Sequence, residues 1–402
     1  MAVSKQLTRF YTLYVCRFIT SNFYTIFFHT ILDIPNERKM NIQTIQFSRE
    51  KNAEFVKELK HRVNQYFKEK GISKQANFSM VLKSVCMVAI LVMPYGFMMS
   101  GLISSIWVHY LMWVVMGIGV SGIGMSVMHD ANHGAYSKSR IVNRIIGRFL
   151  DLIGGNATNW KMQHNVLHHT YTNIHGLDQD IKAGAVLRLS PEQKRYKIHK
   201  YQHIYAWFLY GLMTLPWMTI KDFFQMVEFR KRNLNKGRSR KFWKEYFIMV
   251  GVKIFYYTYM LVLPIILLPF TWWQVVLGFV LMHYVTGATL ATTFQLAHVM
   301  PKTMNKLNIV DNSIEENWVI HQLETTTDFA RNNWLVSWYI GGLNFQVEHH
   351  LFPNICHVHY KKLSKIVEQT AKEYGVVYNN IPTMASALIE HGKVLKRLGT
   401  VE

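Results

Sequence analysis

Four stretches of roughly 20 residues are apolar enough to cross a bilayer, and they come in two close pairs: about 80 to 100 with 103 to 128, and about 246 to 268 with 272 to 294. A chain in lipid must satisfy its own backbone, so these stretches predict helices joined as two hairpins. Half of the 402 residues are hydrophobic and 14% are aromatic, which fits an integral membrane protein. The expected fold class is all-α, with four transmembrane helices in two hairpins and a cytosolic helical cap built from the more polar remainder.

Charge placement orients the spans. Residues 95–107 and 263–273 contain no Lys, Arg, Asp or Glu, whereas Arg230, Lys231, Arg232, Lys236, Arg238, Arg240, Lys241 and Lys244 crowd the connection between the hairpins. The N-terminus, the connection and the C-terminal region are therefore expected in the cytoplasm, with Trp107, Pro269, Trp272 and Trp273 at the outer headgroup belt. A net charge of +21 then describes a cytoplasmic face lying on anionic membrane lipid, with attraction for an acidic redox partner as a second use. Nucleic acid is set aside as a partner, because the basic residues sit beside spans and no nucleic-acid-binding fold is visible. Cys16, Cys86 and Cys356 are too scattered for a disulfide framework or a cysteine-rich metal site.

Residues 1–39 hold an aromatic, apolar stretch broken by Arg17, Thr20, Ser21 and Asn22, without a cleavage pattern. This extension reads as an interfacial segment or, preferably, as upstream sequence from a misplaced start. Residues 40–79 form a cytosolic segment with a strand-like run and a charged helix over about 53–70. Residues 80–360 carry the spans and the histidines discussed next, and 361–402 form a cytosolic helical region bearing Lys361, Lys362 and Lys365. Residues 141–157 and 204–220 are apolar but interrupted by Gly154, Gly155 and Pro216, which suits interfacial or re-entrant helices.

Eight of the 19 histidines fall into boxes. His129 and His133 are four apart at the cytoplasmic end of the second span, so they share a helix face and can bind one metal. His164 and His168 repeat that step, and His169, rotated by about 100° on a helix, can face a second metal. His298 lies just past the fourth span, as His129 does after the second. Gln346 lies one helical turn before His349 and His350, where its amide can reach a metal directly or through water. The remaining histidines, among them His109, His175, His199, His283, His321, His357 and His359, lack this grouping and are expected on the surface or in packing. Asn132, Asn165 and Asp178 are candidates to orient ligand imidazoles, with turn or capping roles as the equal alternative. Trp160, one turn before His164, lines a substrate tunnel or simply packs the cap.

Imidazole suits iron, zinc and copper alike. Paired iron is preferred because an apolar scaffold open to lipid suits attack on an unactivated C–H bond, which needs activated oxygen and electrons. Asp130 makes the first box similar to the zinc-protease pattern His-Glu-x-x-His, but that pattern needs a glutamate base and one outside ligand. A single-zinc hydrolase is therefore disfavoured.

The joint pattern His-x-x-x-His, His-x-x-x-His-His and Gln-x-x-His-His, with spans between, resembles the membrane fatty acid desaturases over roughly residues 75 to 360. The run from Gln346 to Pro353 is similar to the front-end subgroup, which inserts a double bond between an existing one and the carboxyl end. The resemblance implies a mushroom-shaped protein holding two iron ions, with His129, His133, His164, His168, His169, His298, His349 and His350 as ligands. Gln346 then stands where other desaturases place another histidine. It implies a reaction that takes dioxygen and two electrons, removes two hydrogens from adjacent methylenes of an acyl-CoA or acyl-lipid, and releases water. Many front-end desaturases carry a fused cytochrome b5 domain with a His-Pro-Gly-Gly motif, and this sequence has no His-Pro pair. Electrons are then expected from a separate ferredoxin or cytochrome b5 with its reductase, docking on the basic face. A stand-alone Delta-6 or linoleoyl-CoA type enzyme of a bacterial inner membrane, rather than the endoplasmic reticulum, is the most specific expectation. The rivals are a hydroxylase on the same scaffold and a membrane electron carrier with bis-histidine haems, the latter disfavoured because the boxes lie at or beyond the span ends.

Overall fold

The computed structural model describes residues 45–401 except 233, 235–238, 305–308, 311 and 312. The expectations about residues 1–39, and about Lys236 and Arg238, therefore fall outside the described residues. Among the described residues, four helices are long and apolar enough to cross a membrane: Phe78–Met99, Ile106–Asn132, Lys241–Leu267 and Trp272–His298. They form the two expected hairpins, but the second and fourth run further than their hydropathy indicates. Each of these two has 27 residues, or about 40 Å of helix against a hydrocarbon core of about 30 Å. The excess carries His129 and His298 beyond the apolar layer while keeping both on the spans themselves.

The two inner spans are covered by protein and the two outer ones are not. Within the apolar windows, 72% of the second span and 50% of the fourth are buried, against 28% of the first and 22% of the third. The outer spans leave Val85, Val92, Phe97, Phe247, Ile254 and Ile266 exposed, a surface that lipid satisfies and water does not. Small residues bring the helices into backbone contact: a Cβ on Gly287 would lie 2.4 Å from the Gly211 carbonyl oxygen. The helix Gln202–Leu212 can therefore lie directly on the fourth span.

That helix also corrects one detail of the expectation for residues 204–220, the break at Pro216. Pro216 does not end it; a π-helical turn over Trp217–Lys221 absorbs the irregularity and the run continues as Asp222–Lys231. Ile204, Phe208, Phe224 and Val227 stay exposed along it. The helix Arg140–Gly147 likewise exposes Ile141, Val142 and Ile145, and neither segment is among the four spans.

At the His129 and His298 end sits a helical cap. The helix Ala53–Lys70 buries Phe55, Leu59, Val63 and Phe67, one residue per turn. These pack against Leu363 and Val367 of the helix Tyr360–Glu373 and against Leu323, Phe345 and Val347. The segment before the first span thus shares one core with the last histidine box. Strand content is minimal: Gln46–Ser48 runs parallel to Ser313–Asn317, which pairs antiparallel with Ile309–Val310, and Asp328–Phe329 runs parallel to Asn380–Ile381.

Gly341 and Gly342 have φ of 64° and 67°, a left-handed conformation that glycine adopts without a Cβ clash. A Cβ on Gly341 would lie 2.6 Å from the Met125 carbonyl oxygen. This turn therefore lays the chain against the second span just before the short helix Gln346–Leu351.

Candidate metal centre

The boxes converge from four separate elements. One ligand atom each from His129, His133, His164 and His349 lies within 4.8 Å of the others, and the same holds for His168, His298 and His350. His169 sits between the two groups: its Nε2 is 3.3 Å from that of His164 and 3.0 Å from that of His349. Its ring also stacks on His350 at 4.3 Å. All are buried except His133, which is half-buried.

The middle box divides differently from its expected helical spacing. Residues Met162–His168 form a π-helix, and the His169 N–H bonds the His164 carbonyl five residues back at 3.0 Å. A π turn sets residues five apart over one another, so His164 faces the first group together with His169. His168 meets His298 and His350. His164 and His168 also remain close, their rings stacked at 5.2 Å with Asp180 beside both.

Burial holds His133, His164, His169, His349 and His350 well below the usual imidazole range, reinforced by the neighbouring rings. The neutral form is the one that ligates metal. His168 differs: burial opposes its charge, yet the carboxylates of Asp178 and Asp180 prevail and push it up to about 9.

Outward nitrogens are held by groups with no box of their own. The His168 Nδ1 donates to Asp178 at 3.0 Å, His350 Nδ1 donates to Gln322 Oε1 at 2.8 Å, and His298 Nδ1 donates to the Thr325 carbonyl at 3.3 Å. His349 Nδ1 lies 3.4 Å from the Tyr360 hydroxyl. Such bonds turn Nε2 inward. Among the described residues the Nε2 atoms of His133, His168, His298 and His350, and both amide atoms of Gln346, are buried without a partner. Unmet polar atoms this deep are costly unless a ligand meets them, so the residues fit a pair of metal ions.

Of the three candidate orienting residues, only Asp178 touches an imidazole. Asn132 donates to the Gly147 carbonyl at 3.1 Å and Asn165 to the Asn132 carbonyl at 3.0 Å, which braces backbone. Gln322, Thr325 and Tyr360 have no sequence signal; they reach the site only through tertiary contact. Among the remaining histidines, His109, His283 and His321 are buried in packing, bonded to Trp113, Tyr256 and the Thr172 carbonyl.

Trp160 stacks on His164 at 4.5 Å and presents its edge to His129 at 5.4 Å. The same indole belongs to an apolar cluster with Met128, Leu150, Tyr256, Phe279 and Trp113 that descends into the spans. It is thus the partition between the imidazoles and the membrane-embedded core.

Asp130 is not available as a hydrolytic base. It accepts from His357 Nδ1 at 2.8 Å, and the Lys83 ammonium lies 2.7 Å from the His357 Nε2. Glu348, inside the last box, is buried beside Asp328. The Tyr378 hydroxyl lies 2.7 Å from Asp328 and 3.0 Å from Glu348. Burial and the neighbouring Asp328 carboxylate raise Glu348 well above the usual range.

A helical membrane scaffold with convergent histidine boxes at one end of its spans defines a histidine-box oxidoreductase. The chain belongs to the fatty acid desaturase family, whose model matches residues 105–382. It is 36% identical to the sn-1 linoleoyl-lipid 6-desaturase of Arthrospira platensis, over 87% of this chain and 93% of that protein. It is 34% identical to the sn-1 linoleoyl-lipid 6-desaturase of Synechocystis sp., over 90% of this chain and 99% of that protein. It is 35% identical to the acyl-lipid (8-3)-desaturase of Physcomitrium patens, over 90% of this chain and 75% of that protein. Family membership removes the hydrolase and haem-carrier readings.

Proposed function

We propose that the protein is a front-end acyl-lipid desaturase that inserts a cis double bond next to an existing one, on its carboxyl side, in a membrane lipid. The observation that carries this reading is the pair of adjacent imidazole groups, with the Nε2 atoms of His133, His168, His298 and His350 buried without a partner, roofed by Trp160 against an apolar core that continues into the spans. Relatives named for the 6 and 8-3 positions support the front-end class.

His129, His133, His164 and His349 would hold one iron, His168, His298 and His350 the other, with His169 between them and Gln346 completing the set. Two irons bound there supply the reduction of dioxygen by two electrons, with two protons and two hydrogens from adjacent methylenes, giving an alkene and two waters. The protein's own residues position the chain. An acyl tail entering from the membrane is confined by Trp160, Tyr256 and Phe279, so regiochemistry follows from which methylene lies under the imidazoles. The same apolar wall excludes water from the reacting carbons. Asp178, Gln322 and the Thr325 carbonyl fix imidazole orientation before any substrate arrives. A separate ferredoxin or cytochrome b5 delivers the electrons at a cap facing the cytoplasm, in keeping with the charge-free hairpin tips and the basic connection.

The test is expression in a host without polyunsaturated lipids, fed linoleate, with double bonds located by mass spectrometry and iron measured in the purified protein. A new carboxyl-side double bond in lipid-bound chains is the expected product. Hydroxylated chains without new unsaturation would establish the hydroxylase instead.

A further inference from the structure

The cap carries a basic recess that desaturation does not use. A cavity of about 190 Å³ opens where the loop before the helix Trp334–Tyr339 meets the helix Tyr360–Glu373 and the strand Asn380–Ile381. Arg331, Lys361 and Lys365 bring positive charge to it, Ser364 and Asn380 bring hydrogen-bonding groups, and Phe345 contributes apolar surface. Glu368 also lines the cavity, but it is paired with Arg331 at 3.0 Å. The two exposed lysines, one helical turn apart, are therefore left in excess. Lysine ammonium groups around a small concavity suit a phosphate, and the space is several times the ~30 Å³ share of one water molecule.

What lies beside the recess identifies the source of that phosphate. Asn332 lines the cavity, and Asn333 caps the next helix by accepting from the Val336 N–H at 3.1 Å. Trp334 and Leu335 then stand 72% and 57% exposed. This helix is tied to the second span: the Tyr339 hydroxyl is 2.7 Å from Ser121 Oγ and donates to the Ile118 carbonyl at 3.0 Å. Lys83 of the first span lies over the Trp338 ring at 5.7 Å. An exposed Trp-Leu pair on a helix strapped to the spans belongs at headgroup depth. A recess of this size admits one headgroup phosphate and not the face of a protein.

We propose that the Arg331, Lys361 and Lys365 recess binds the phosphate of a membrane phospholipid whose acyl chains pass Trp334 and Leu335. The inference rests on the membrane placement adopted under the proposed function and is independent of the metal centre. Full-length protein in neutral detergent is loaded with phosphatidylglycerol or with a monogalactosyl lipid of the same acyl chains, and retained lipid is read by native mass spectrometry. Wild-type protein is expected to favour phosphatidylglycerol by about tenfold or more, and K361E/K365E to lose that preference. Thermal unfolding checks the fold of the variant, and K361Q/K365Q reads the same loss where charge reversal disturbs it. Millimolar inorganic phosphate should displace little phosphatidylglycerol. Unchanged preference in both double variants, equal retention of the two lipids by wild-type protein, or ready displacement by free phosphate would each overturn the proposal. Because retention is read without turnover, an inactive or iron-free preparation bears on the metal centre and leaves this result standing.

Discussion

The two imidazole groups are built to different tolerances. In the group of His168, His298 and His350, every Nδ1 has an acceptor within hydrogen-bond reach: Asp178, the Thr325 carbonyl and Gln322. In the group of His129, His133, His164 and His349, the contacts of His129 with Asp130 and of His164 with Asp180 are 4.0 and 3.7 Å, beyond a hydrogen bond. The His349 Nδ1 has only a long contact with Tyr360, and His133 is half-buried. One group has its rings held by protein partners, while the rings of the other would settle only with a bound metal and the packing of Trp160. The difference separates a rigid anchor from a more adaptable neighbour on the Trp160 side.

Removing a ligand from either group should have the largest effect and should erase the contrast. His168→Ala and His349→Ala are each expected to abolish desaturation and lower bound iron, with the membrane fold retained because the spans need no metal. Product analysis and elemental analysis check this, and turnover at the parental rate in either variant would remove that residue from the ligand set. Changing only the outer partners should expose the contrast. Asp178→Asn is expected to weaken iron retention by about 10- to 100-fold. Tyr360→Phe should cost less than about tenfold; equal losses in a chelator titration would show that the groups are anchored alike.

A backbone change that shifts both groups serves as a control. Gly341→Ala forces a side chain into a left-handed position against the Met125 carbonyl, and should destabilise the cap by about 1–3 kcal/mol. Thermal unfolding should show the loss, with both irons released together rather than one first. The smallest effect on activity is expected at Gln346. Gln346→His should keep partial activity because imidazole can replace the amide as a ligand, and Gln346→Ala should lower activity by about tenfold. Parental rates in the alanine variant would show that the amide does nothing at the site.

Much of this protein is legible in its sequence because the governing forces are local. A stretch of roughly 20 apolar residues must be a span whatever surrounds it, so the four spans and their pairing follow from composition alone. Histidines four apart at a span end share a face for the same reason, and the eight box histidines do meet in the fold. What hydropathy misses is where the inner spans stop: the apolar signal fades before His129 and His298, although the backbone ladder carries the helices on to them.

Only tertiary structure decided how the imidazoles divide. A π turn, invisible in residue spacing, sends His168 to one group and joins His169 to His164. Gln322, Thr325 and Tyr360 become partners of the site because the helices carrying them fold back from more than a hundred residues beyond the middle box. Likewise, Lys361 and Lys365 become a recess only once Arg331 lies opposite them. Chain-local energetics set the spans and the boxes; contacts between distant segments set ring orientation and charge convergence, which no local pattern encodes.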